Sequence, residues 1–198
     1  MMDKYSYYLS IVFYLCLIKT QNNMYVKCGC IILYLWFSLI CHAQQSVSGV
    51  SEQASDFAYT LASGEVKRMY ALSAEALLLC FYDPACEDCH ALMKQLEDSP
   101  VVRQLIDEKR LLVLAVYPEE DVELWEENAS HVPVGWINGY DPGVKIILND
   151  LYDFTKLPTL YLLDGQKRYL LKDATAEDVE RELAGRFNIQ GSKLDIQD

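Results

Sequence analysis

The chain has 198 residues, 52% of them hydrophobic, and a formal charge of -12. That composition is too apolar for a disordered polypeptide and leaves room for one ordinary domain plus leader sequence. With 29 Asp and Glu against 17 Lys and Arg, nucleic-acid binding is also disfavoured, because it needs clustered cations to displace counterions from phosphates.

Two apolar stretches open the chain, Tyr5 to Ile18 and Cys28 to Ala43, separated by Lys19-Thr20-Gln21-Asn22-Asn23. Each is shorter than the ~20 residues that span a bilayer as a helix. The second has a signal-peptide layout: Lys27 is a short basic region, Ile31 to Ile40 the apolar core, and Cys41-His42-Ala43 a small-residue cleavage site before Gln44. The expectation is a leader over 1–43, in which 24–43 is the signal peptide starting at Met24 and 1–23 an upstream over-extension. A pair of short anchoring helices and a lipid-modified Cys41 are the alternatives. Removing the leader leaves 14 basic and 28 acidic residues, a net charge of -14. The chain is then expected in the periplasm or another extracytoplasmic space, secreted or anchored to the membrane.

Residues 44–55 are polar and aperiodic, and read as a linker to a domain over 56–190, with 191–198 as a tail. Phe57 to Leu61 and Val66 to Tyr70, joined at Ser63-Gly64, predict a hairpin. The apolar run Ala76 to Tyr82 predicts a buried strand, and Ala91 to Leu96 a helix after it. Ser99-Pro100 starts a second helix with serine as cap and proline in the first turn. Leu111 to Tyr117 predicts a strand covered on both faces, so the sheet is at least partly parallel. Glu119 to Trp125 reads as a short acidic helix, and Val134 to Gly143 as a turn-rich segment with exposed aromatics. Thr159 to Asp164 and Arg168 to Leu171 predict a second hairpin, followed by a helix with the capping box Thr175-Ala176-Glu177-Asp178. Alternating βαβ units, a hairpin and a last helix make an α/β domain with a central mixed sheet flanked by helices.

Four of the seven cysteines, Cys16, Cys28, Cys30 and Cys41, lie in the leader. The remaining Cys80, Cys86 and Cys89 form a close pair and one bystander, unlike a disulfide-stapled scaffold. Cys86-Glu87-Asp88-Cys89 sits between a strand and a helix. Two thiols at that spacing can close a small disulfide, and the free N–H groups and positive end of the helix stabilise the first sulfur as the thiolate that performs exchange. Glu87, Asp88 and His90 are the tuning candidates: the two carboxylates repel the negative sulfur, and His90 is the nearby group that offsets them. Cys86 to His90 also spells the C-x-x-C-H pattern of haem attachment, but no second axial ligand is identifiable, so no cofactor is assigned. Zinc on Cys86, Cys89, His90 and the distant His131 lacks a second close ligand pair, so no metal is assigned.

The order of elements, the C-x-x-C after the first central strand and the Leu157-Pro158-Thr159 step into the last hairpin resemble the thioredoxin-like fold. The N-terminal hairpin and the insertion before the last hairpin are similar to exported thiol–disulfide oxidoreductases of the TlpA type. The resemblance implies a dithiol enzyme with Cys86 attacking and Cys89 resolving, and the repulsion by Glu87 and Asp88 predicts a reductase in direction. It also implies that Pro158 is a cis-proline which, with Leu157, binds the substrate backbone. Its partners would be protein thiols or disulfides, with a membrane electron donor as a further candidate. Two departures accompany it: Asp83-Pro84-Ala85 replaces a tryptophan-containing lead-in, and Cys80 stands where many relatives carry a buried acid. A thioredoxin-like binding module using the Trp136 to Tyr140 surface and the Pro158 groove without turnover is the alternative.

Overall fold

The structure is a computed structural model and describes residues 52–189. The leader, the linker as far as residue 51 and the 191–198 tail lie outside the described residues.

A seven-stranded mixed sheet carries the domain, in the order β2-β1-β5-β4-β3-β6-β7. Its strands are β1 Ala58–Leu61, β2 Val66–Arg68, β3 Ala76–Phe81, β4 Leu111–Tyr117, β5 Ile137–Tyr140, β6 Thr159–Asp164 and β7 Tyr169–Lys172. The helices are α1 Glu87–Asp98, α2 Pro100–Asp107, α3 Val122–Glu127, α4 Lys145–Leu148 and α5 Ala176–Phe187, with a 3-10 turn over Ala129–His131. β3 runs parallel to β4 and antiparallel to β6, and all six of its residues are buried. A strand covered on both faces needs no polar alternation, which is why it reads as an unbroken apolar run.

The period of two along a strand sorts β3 into two cores. Leu78, Cys80 and, just beyond the strand, Tyr82 pack with Met93 and Leu96 of α1, Leu105 of α2 and Leu183 of α5. Leu77, Leu79 and Phe81 face the opposite side, against Phe57, Tyr59, Met69, Tyr152 and Tyr161. Local signals set the helix ends. Ser99 Oγ accepts the Val102 N–H at the start of α2, and the Thr175 and Asp178 capping box is formed at the start of α5. Among the described residues no helix is long and apolar enough to cross a membrane.

Three expectations are corrected. The turn-rich segment contains β5, an interior strand parallel to β4 and antiparallel to β1. Its Asn138 and Gly139 look like turn residues, yet Gly139 is there because a Cβ would meet the Tyr59 ring at 2.6 Å. The aromatics that flank it, Trp136 and Tyr140, are half-buried rather than exposed, since an interior strand turns its neighbours onto the core. Second, the described end of the expected linker belongs to the domain: Ala54 is buried, and Gln53 bridges Arg168. The Ala54 N–H donates to Lys167 O and the Tyr169 N–H to Glu52 O, both at 2.9 Å, so this segment covers the start of an otherwise open edge. Third, the acidic helix begins at Val122 rather than Glu119, because Asp121 caps it by accepting the Leu124 N–H at 3.0 Å.

Candidate active site

At the end of β3 the Tyr82 N–H donates to Val116 O at 3.1 Å, extending the ladder by one residue before the chain turns out. Asp83 makes that turn. Its Oδ1 accepts the Ala85 N–H at 2.8 Å and its carbonyl accepts the Cys86 N–H at 3.1 Å. Cys86 is consequently extended, at φ -85° and ψ 116°, and occupies the N-cap of α1. Its Sγ accepts the Cys89 N–H at 3.3 Å.

The two sulfurs have different surroundings. Cys86 is half-buried, and Cys89 is fully enclosed in the core behind it. Burial pushes the Cys89 thiol well above its ordinary value, the Cys86 sulfur raises it further, and the Asp83 backbone opposes both. Cys80 belongs to the same core cluster, and burial pushes its thiol up to about 12. It therefore stays protonated near neutral pH, as a packed strand thiol. All three are free thiols. A reachable nucleophile at a helix start, with a buried second thiol three residues on, is an arrangement that can open a disulfide and close one of its own.

Glu87 and Asp88 are exposed in the first turn of α1. His90 is half-buried, and its Nε2 lies 2.8 Å from the Pro84 carbonyl oxygen, so that nitrogen carries the hydrogen and donates. The His131 ring, 41 positions later in sequence, packs against the His90 ring with centroids 4.0 Å apart. Among the described residues no three His, Cys, Asp or Glu side chains are grouped as a metal site.

The Leu157-Pro158 peptide bond is cis. Thr159 lies opposite Phe81 in the β3–β6 register, so Pro158 enters β6 at the end of the sheet where β3 leads out to Cys86. Leu157 and Pro158 are half-buried, and Leu157 borders both cores. Trp125 is buried against the Tyr140 ring, at 4.7 Å between centroids.

Two contacts here are not predicted by the sequence, although His90 and His131 stand together in the zinc alternative. Asn138 Oδ1 accepts both the Tyr82 O–H and the Trp125 Nε1–H, each at 2.9 Å. It ties β5, the crossover helix α3 and the residue leaving β3 into one polar cluster. The contact of His131 with His90 is the other. Neither has a spacing that local pattern detects, since the first is made by β5 joining the sheet beside β4 and the second by the β4–β5 crossover reaching the first turn of α1.

No family model and no curated protein matches the chain. Among solved structures it is similar to a thioredoxin-like protein from Bacteroides caccae, at 42% identity and TM-score 0.66 over 68% of this chain. The chain spans about half, 48%, of that relative's length. It is also similar to the C-terminal domain of an uncharacterized protein from Bacteroides fragilis, at 40% identity and TM-score 0.67, covering 69% of this chain and 97% of that one. The thioredoxin domain of a thiol-disulfide oxidoreductase from Bacteroides vulgatus shares the fold at 13% identity, with TM-score 0.60 over 70% of this chain and 98% of that one.

Proposed function

This chain belongs to the thioredoxin-like superfamily, and from that premise we propose that it is an exported thiol–disulfide oxidoreductase, a reductase acting through the Cys86 and Cys89 dithiol. The observation that carries the reading is the pair itself: a half-buried Cys86 sulfur hydrogen-bonded to the Cys89 N–H at the N-cap of α1, with the Cys89 thiol enclosed behind it.

The reaction has two steps. The Cys86 thiolate attacks one sulfur of a substrate disulfide. That S–S bond breaks, a mixed disulfide forms, and the departing substrate sulfur takes up a proton. Cys89 then loses its proton and attacks Cys86 Sγ, which releases the second substrate thiol and closes the Cys86–Cys89 disulfide. Two electrons pass from the dithiol to the substrate. The helix start stabilises the first thiolate, and burial keeps the second sulfur protonated until the mixed disulfide forms. Leu157 and Pro158 are the proposed contact for the substrate backbone, at the same end of the sheet.

The substrates are protein disulfides, and a dithiol donor on the membrane is the candidate source of electrons. Glu87 and Asp88 favour the reducing direction, because two carboxylates beside the sulfur oppose the very stable thiolate that strong oxidants need. Insulin reduction by the full chain, beside Cys86→Ser, tests the reading. Turnover lost in the variant supports it, and turnover retained overturns it. A wild-type protein that binds a disulfide-bearing polypeptide without reducing it is a binding module instead.

A further inference from the structure

The β4–β5 crossover grips the loop that presents Cys86 at two separate points. At the inner end, Trp125 Nε1–H and the Tyr82 hydroxyl donate to the same Asn138 oxygen, which anchors the loop where it leaves β3. At the outer end, the His131 ring packs on the His90 ring at 4.0 Å, inclined by 51°, and His90 Nε2–H holds the carbonyl of Pro84, two residues before Cys86. The first anchor joins the buried Tyr82 and Trp125 rings to the half-buried Asn138. The second ends on His131, which is exposed, although the 3-10 turn that carries it is pinned by the buried Val132 and by the His131 N–H donating to Asn128 O at 3.0 Å. A histidine fixed from below and facing the first turn of α1 has one described contact of note, the ring of His90.

We propose that His131 is a positioning residue for the dithiol. By packing against His90 it keeps that ring in the rotamer whose Nε2–H ties down Pro84, and so sets the geometry in which the Cys86 sulfur meets the start of α1. Without His131 one face of the His90 ring is uncovered, the ring has other rotamers open to it, and the turn Asp83 to Cys86 loses its outer tether. Thiolate and disulfide forms ask different things of that turn, since the thiolate draws more strongly on the N–H groups at the helix start than a neutral sulfur does. Loosening the turn therefore shifts the balance between dithiol and disulfide. This rests on the oxidoreductase reading.

The test equilibrates the full chain with glutathione buffers and compares wild type, His131→Ala, His131→Phe and the two substitutions in a His90→Phe background. His131→Ala is expected to change the equilibrium constant by about threefold or more, ~14 mV for this two-electron couple. His131→Phe, which keeps a ring on His90, is expected to lie closer to wild type than to His131→Ala. In the His90→Phe background the effect of His131→Ala is expected to vanish, because the residue acts through His90. A smaller change, a Phe variant as displaced as Ala, or an effect that survives without His90 each overturns the proposal. Thermal melting of every variant separates these results from misfolding, and if His131→Ala unfolds, His131→Ser, which also lacks the ring, replaces it in each comparison. If wild-type Cys86 and Cys89 form no disulfide in these buffers, it is the oxidoreductase reading that fails.

Discussion

The backbone N–H of Cys89 donates to the sulfur of Cys86 over 3.3 Å, so the first thiol of the pair caps the helix that carries the second. One hydrogen bond thus serves folding and the proposed chemistry together. It satisfies an N–H that the first turn would otherwise leave without a partner, and it becomes charge-assisted, and stronger, when Cys86 ionises.

Serine at position 86 separates the two roles. Cys86→Ser is expected to abolish disulfide exchange while keeping or improving stability, by up to about 1 kcal/mol, since serine is among the preferred N-caps. Activity assays beside thermal melting check both parts, and a melting temperature below wild type removes the capping argument. Cys89→Ser is expected to attack substrates and stall as a mixed disulfide. Trapping by Cys86→Ser instead would reverse the order of the two cysteines.

Cys80 is expected to be a packing residue. Its thiol, pushed up to about 12 by burial, accepts no proton near neutral pH. Cys80→Ala should cost about 1 kcal/mol of stability from the lost buried sulfur and leave turnover near wild type. Turnover falling tenfold in a folded variant would make it a third participant.

The reduction potential is expected nearer about -270 mV, the thioredoxin end, than the strong-oxidant end near -120 mV. Glu87 and Asp88 both stand in the first turn beside Cys86. Replacing them with Gln and Asn removes the repulsion and should raise the potential. A wild-type value above about -180 mV, the region of protein disulfide isomerase, would show that the fold or His90 outweighs the carboxylates.

Asp164, the last residue of β6, supplies a pH-dependent part of stability. Burial disfavours its charge, but the Arg168 and Gln166 backbone N–H groups and the Arg168 guanidinium outweigh burial and hold its carboxyl below the ordinary value. A carboxyl lowered in the folded state stabilises above its unfolded value of about 3.9, and that contribution fades as pH falls through the folded value. Asp164→Ala is expected to cost about 2 kcal/mol at pH 7. Denaturant unfolding should show the gap narrowing below about pH 4, and a gap that does not change with pH would deny the carboxylate this role.

Much of the fold was legible because its signals are local. The unbroken apolar runs of β3 and β4, the serine and proline opening α2, and the Thr175 capping box each report a structure decided within a few residues. The spacing of Cys86 and Cys89 at a strand-to-helix junction belongs to the same class, so the dithiol could be read without coordinates. β5 could not. Asn138 and Gly139 have turn propensities, and they form a strand only because β4 and β1 pair with it from either side, contacts that no window of sequence contains. The same crossover decides the surroundings of the dithiol. It brings Asn138 to Tyr82, and it lays His131 on His90, joining residues far apart in the chain through a register that exists only once the sheet has formed. The sequence by itself determined which atoms carry the proposed chemistry. Tertiary structure alone decided which of them is reachable, which is buried, and what holds their loop, because burial and non-local pairing are properties of the assembled sheet.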